Sequence, residues 1–130
     1  YPLIFRTRDH PEFSRVLLRQ EVESGALLNP WRGIYVRPDA PLSNRHLAAF
    51  ALRRPDAVFG LVTALDYHDL TDLHARTVDA FIPRNTRTPR FNDIPHRVIR
   101  QRPDLLEIGV QPVSFLDVST QITSPARTVV

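Results

Sequence analysis

The sequence predicts an α+β chain, and three observations carry that reading. Its 130 residues, 42% hydrophobic and 24% charged, suit one domain or two small ones with a real core. Stretches with helical spacing of apolar residues are interspersed with short runs that alternate or are rich in β-formers. Pro11, Pro55, Pro83 and Pro125 punctuate those stretches at their ends.

Leu3-Ile4-Phe5 is an apolar run too short to assign by periodicity. Ser14 stands where an N-cap belongs, because its hydroxyl can accept from the free amides of a first turn. Arg15 to Glu23 are good helix formers, with Phe13, Val16 and Leu17 expected on the buried face. Ser24-Gly25 ends that helix, since glycine takes the left-handed position without strain. A hairpin follows, with Ala26–Leu28 and Gly33–Val36 as strands and Asn29-Pro30-Trp31-Arg32 as their link. Leu42 to Arg53 reads as a second helix carrying Leu42, His46, Ala49 and Phe50 at helical spacing, stopped by Pro55. Ala57 to about Tyr67 reads as a third, buried helix.

Beyond it, Thr77 to Ile82 alternates as a strand and ends at Pro83. Residues 83–95 form a loop dense in Pro, Arg, Asn and Thr, and His96 to Gln101 forms another strand. Asp104 to Glu107 makes one helical turn. Gln111–Phe115 and Val118–Thr123 are short strands around Leu116-Asp117. Ser124-Pro125 then opens a helix, with a capping serine before a proline at the first helical position.

Charge and composition narrow the function. There is no cysteine, which excludes disulfides, thiolate zinc sites and cysteine catalysis. There is no methionine either, so the chain reads as a processed or truncated piece. No apolar stretch is long enough for a membrane helix. All 17 basic residues are arginine, a bias that genomic base composition can produce, and alone it is no sign of nucleic-acid binding. Distribution says more. Residues 1–37 carry six arginines against four acids, and residues 38–82 carry four against six. Residues 83–102 carry six against Asp93 alone, and residues 103–130 return to an acidic balance. The positive field therefore sits in two places.

The helix–glycine–hairpin unit at 14–37 has the pattern of the second half of a winged helix-turn-helix, in which the helix enters the major groove and the wing lies on phosphate. Arg15 and Arg19 stand four apart on one face, and Arg32 sits at the hairpin tip. The competing reading is an ordinary amphipathic helix with solvated arginines.

Arg19 to Val36 resembles the end of the winged-helix domain of the AbiEi-type antitoxins of type IV toxin–antitoxin systems. Ala64 to Thr71 (ALDYHDLT) is similar to that family's S-A-L-x-x-H-G-L-T segment. Val78 to Pro83 with Arg84 to Arg90 resembles its strand and arginine-rich loop, and Thr123 to Val129 its S-P-A-K/R-T-V segment. Four motifs in the right order span roughly residues 14–130. The resemblance implies a cytoplasmic transcriptional autorepressor that binds a double-stranded operator and counteracts a nucleotidyltransferase-like toxin. It implies Arg19 and Arg32 as DNA contacts, to which helix geometry adds Arg15. Arg84, Arg87 and Arg90 match the family's basic loop and are candidates for phosphate or for an acidic partner surface.

The chain also departs from the family. Some ten residues precede Pro11, too few for the two helices that normally brace a reading helix. Either the module is trimmed or its first helix is lost, and a reading helix without its brace should bind DNA poorly. Asp69 replaces a glycine after His68, and a left-handed backbone there suits aspartate less well. The chain stops before the family's helical C-terminal region.

Catalysis is not expected. Phosphate-binding glycine loops, a G-x-S-x-G elbow and an H-E-x-x-H helix are all missing, and no cofactor is implied. Asp66, His68, Asp69, Asp72 and His74 lie within nine positions and suggest a metal site centred on His68 and Asp69. Yet His68 ends a helix in the family match, where the dipole favours histidine, and the others fall in a loop. The segment is therefore read as structural. The organisation is thus a partial winged-helix unit at 1–40 followed by a mixed helix–sheet domain at 41–130. The alternative is a non-catalytic interaction module that binds a partner without binding DNA.

Overall fold

A computed structural model describes residues 1–91 and 94–129; positions 92 and 93, inside the expected 83–95 loop, and position 130 lie outside the described residues. The fold is α+β, with helices packed on two sheets. The first sheet is small and antiparallel. The Leu3–Phe5 run becomes strand β1, Ile4–Arg6, which pairs with β3, Ile34–Val36; β3 pairs in turn with β2, Leu28–Trp31. Between β1 and β2 come a 3-10 turn at Thr7–Asp9 and helix α1, Arg15–Ser24.

The hairpin differs from its expected register. Asn29 and Pro30 are turn residues by composition, yet they lie in β2, and the reversal falls at Arg32-Gly33. Two things make that possible. β2 is an edge strand, where a proline removes no ladder donor that is needed. The Asn29 amide turns inward and donates to the carbonyls of Trp31 (2.6 Å) and Ile34 (2.8 Å), bracing the turn from inside.

Helix α2, Leu42–Arg53, has its expected bounds and buries Ala48, Ala49, Phe50 and Ala51; Leu42, expected on the same face, is exposed at its first turn. The 57–67 stretch is not one helix. Val58–Phe59 is strand β4, Gly60 breaks the chain direction, and α3 runs Leu61–Tyr67. Gly60 approaches the Phe81 ring so closely that a Cβ there would stand 2.3 Å from a ring carbon. Leu61 then adopts φ +49, a left-handed conformation that leucine rarely takes.

β4 joins a five-stranded mixed sheet with β5 (Val78–Pro83), β6 (His96–Gln101), β7 (Val110–Phe115) and β8 (Val118–Thr123), in the order β6-β5-β4-β8-β7. β5 and β6 run parallel, which demands a crossover connection, and the basic loop supplies it. β7 and β8 form the expected hairpin, with Leu116 and Asp117 both at positive φ. Two short helices complete the chain: α4 at Pro103–Leu106 and α5 at Pro125–Thr128, the latter capped by Ser124, whose hydroxyl accepts from the Arg127 amide.

One apolar cluster runs from Ile4, Ile34 and Val36 through Ala49 and Phe50 to Phe59, Ile82 and Ile122. The small sheet and the large one therefore share a core across position 41. The carboxylate of Asp79, 2% exposed in β5, accepts two bonds from the Arg97 guanidinium (3.1 and 3.0 Å) and one from the Val62 amide (3.1 Å), tying β6 and the start of α3 to the sheet.

Candidate nucleic-acid interface

Helix α1 forms for the reasons its sequence carries. The Leu17 amide donates to Ser14 Oγ (3.1 Å), satisfying a first-turn donor, and Gly25 at φ +85 closes the other end. Its buried face is not the expected one. Leu18 is the side chain that points inward (1% exposed), onto Phe5 and Leu27, with Phe13 and Tyr35 packed around them. Phe13 is thus partly buried, whereas Val16 (65%) and Leu17 (38%) are exposed.

The segment ahead of α1, expected to be too short to brace it, does so through β1 and aromatic packing. Phe5 meets Phe13 edge-on at 5.2 Å and stacks on Tyr35 at 5.7 Å, and Tyr1 meets Phe13 at 5.0 Å. Arg15 and Arg19 are exposed on α1, and among the described residues neither side chain makes an ion pair. Glu21 and Glu23 balance their charge within the same helix.

Arg32 lies at the tip of the β2–β3 hairpin, exposed, beside Gly33 at φ +77. The Thr7 amide donates to the Gly33 carbonyl (2.9 Å), which brings the 3-10 turn against the hairpin tip. The result is a concavity of about 250 Å³ lined by Arg6, Arg8, Arg32 and Arg53. Arg6 is partly neutralised by Asp9 at 3.0 Å, and the Arg53 guanidinium lies 5.0 Å over the Trp31 ring, which holds it at the rim. Four arginines around a notch of this size are suited to a phosphate group. Sequence reading found Arg32 alone; the others come from separate segments, and no local signal joins them.

The basic crossover is a buttressed loop. Arg54, 8% exposed, anchors it: the guanidinium donates to both oxygens of Asp56 (2.9 and 2.6 Å), to the Arg87 carbonyl (2.8 Å) and to Thr86 Oγ1 (3.0 Å). His96 contacts the Pro89 carbonyl through Nε2 (3.1 Å), and Phe91 stacks on Phe50 at 4.9 Å. Arg84, Arg87 and Arg90 project from this loop into solvent. Of the remaining arginines in 83–102, Arg97 is committed to Asp79 and Arg102 to Asp104 (2.8 Å). The usable positive field is therefore narrower than the residue count.

The acidic and histidine cluster of 66–74 converges only as a pair, with the His74 ring 3.8 Å from the Asp66 carboxylate. Asp66 accepts from the Ala75 amide (2.9 Å), and the His68 ring meets the Thr123 carbonyl at 2.7 Å. Asp69 lies beyond α3 at φ +57, a left-handed backbone that suits aspartate less well than glycine. Among the described residues no three His, Asp or Glu side chains gather as a metal site requires. A smaller cavity of about 160 Å³ lies nearby, lined by His46, Asp66, Tyr67 and Arg76 among others; burial first, and then Arg45, hold the His46 pKa below its usual value.

No protein-family model matches this chain, and no curated protein matches it. No helix among the described residues is long and apolar enough to cross a membrane.

Proposed function

We propose that the chain is a DNA-binding transcriptional regulator of the AbiEi antitoxin type, one that represses its own operon and counteracts a nucleotidyltransferase-like toxin. The observation that supports this most is the pairing of two features on one small sheet. One is α1, with an outer face free of structural duty; the other is the arginine notch at the hairpin tip. The two lie on opposite faces of that sheet, α1 on Phe5 and Tyr35 and the notch on the side of Ile34 and α2. In this reading α1 lies in the major groove, and Arg8, Arg32 and Arg53 take phosphates reached past the hairpin tip, fixing register without reading sequence. Arg15 and Arg19 contribute to the same electrostatic docking. Arg84, Arg87 and Arg90 offer a second basic surface for the DNA or for an acidic partner. The test is binding to a duplex from its own promoter beside an unrelated duplex, with repression of a reporter from that promoter. Equal affinity for both duplexes, together with an unrepressed reporter, rejects the repressor reading.

A second reading, a non-catalytic interaction module acting without DNA, draws on Tyr67, Leu70 and Leu73, three exposed apolar side chains set among Asp69 and Asp72. Toxin neutralisation lost in Leu70→Ala and Leu73→Ala, with DNA binding absent throughout, is the result that favours it.

A further inference from the structure

We infer that Val16 and Gln20 are the residues of α1 that choose the base sequence, Gln20 by pairing with an adenine and Val16 by packing on a thymine methyl group. This rests on the DNA-binding reading above and changes which side chains carry specificity within it.

Leu18 is the inward-pointing residue of α1, so it fixes the helix's rotation on the small sheet. At about 100° per residue, Arg15 and Arg19 lie about 60° and 100° round from Leu18, on the flank of the helix. Val16 and Gln20 lie about 160° and 200° round, astride the crest that faces directly away from the sheet, with exposed Glu23 beside them at about 140°. A helix about 10–12 Å across nearly fills a major groove about 12 Å wide, so its crest meets base edges and its flanks meet the backbone. The arginines are thereby assigned to phosphate and the neutral pair to bases.

Two further observations point the same way. Val16 is 65% exposed in the first turns of a helix, where a β-branched apolar residue contributes neither packing nor favourable propensity. Gln20 is exposed, and its amide makes none of the side-chain hydrogen bonds among the described residues. Both are therefore dispensable for the fold. Their chemistry matches what the groove presents: an amide reads N6 and N7 of adenine in bidentate fashion, and an apolar group packs on the thymine 5-methyl. The two are one helical turn apart, so the bases they read should be close neighbours.

The experiment uses the full chain. Bound duplexes are selected from a random-sequence pool, and the recovered site is then titrated with wild type, Gln20→Ala, Val16→Ala and Arg19→Ala. Each thymine of the site is separately replaced by deoxyuridine, which lacks only the methyl group. Gln20→Ala should lose between about fivefold and a hundredfold of discrimination at one adenine. One deoxyuridine replacement should weaken wild type several-fold and leave Val16→Ala unchanged. Arg19→Ala should weaken all sequences alike. Base preferences that are unaltered in Gln20→Ala and Val16→Ala but lost in Arg19→Ala overturn the inference while leaving DNA binding intact. Failure to recover any site, with no binding at low salt, overturns the DNA-binding reading itself and this inference with it.

Discussion

Replacing Arg54 by alanine removes the side chain that ties the basic crossover to the end of α2. Its guanidinium makes four hydrogen bonds, but they do not weigh equally. Asp56 has a side chain 43% exposed, so its carboxylate rehydrates when the partner is lost, and that pair adds little. Thr86 Oγ1 still donates to the Pro83 carbonyl at 2.7 Å and is not orphaned. The principal losses are the charged bonds to Thr86 and to the Arg87 carbonyl, each in the range of about 1.5–3 kcal/mol. With the exposed pair discounted, the variant should lose about 3 kcal/mol, which in a chain of this size lowers Tm by about 10 °C. Arg54→Lys keeps the charge but cannot fork, and should recover less than half of that. Urea denaturation gives the stability, and hydrogen exchange at the Arg84 and Thr86 amides reports the loop, since these donate to Gln101 and Pro83. An alanine variant within about 0.5 kcal/mol of wild type, with unchanged exchange at both amides, would refute the anchoring role.

Three other outcomes follow from the same geometry. His46 has a folded pKa held below its ordinary 6.5 by burial and by Arg45. The unfolded chain thus takes up a proton that the folded chain resists, and stability, full above pH 6.5, should fall as pH drops from there toward the lowered value. Thermal melts from pH 7.5 to pH 5 should show a shallower fall in His46→Gln, and identical pH profiles reject the assignment. Gly60→Ala should cost about 1–3 kcal/mol because its Cβ meets the Phe81 ring, and Phe81→Leu should relieve part of that in a double-mutant cycle. Asp69→Gly, at φ +57, should raise stability by about 0.5 kcal/mol, seen as a higher urea midpoint at constant slope; a lower midpoint contradicts it.

Much of the secondary structure was legible because local chemistry fixed it. α2 has its expected bounds through helical spacing and the Pro55 stop, and α1 is framed by Ser14 and Gly25. The strands at 96–101 and 118–123 also stand where they were expected. Tertiary effects decided the rest. The apolar run at 57–67 has no periodicity that separates strand from helix, and the break comes from a close approach to Phe81, a residue distant in sequence. Asn29 and Pro30 carry turn chemistry yet serve in an edge strand. The buried face of α1 was misjudged because Val16 and Leu17 are as apolar as Leu18, and only the sheet beneath decides among them.

The candidate site divides in the same way. Arg15, Arg19 and Arg32 were visible from a capped helix and a hairpin. Arg8 and Arg53 became relevant only when the 3-10 turn and the end of α2 met the hairpin tip. In the 66–74 cluster, read as structural from the sequence, proximity along the chain brings only Asp66 and His74 together at 3.8 Å, while His68 turns to the Thr123 carbonyl and Asp66 also takes the Ala75 amide.

The most direct measurement is the affinity of the full chain for its own promoter duplex across a salt series, for wild type and for Arg8→Ala, Arg32→Ala and Arg53→Ala. Log affinity should fall linearly with log salt, at about 0.9 per phosphate neutralised, and each variant should flatten that slope by about one contact. Absence of binding at the lowest salt, or slopes identical in all four proteins, contradicts the claim that the hairpin tip holds the DNA backbone.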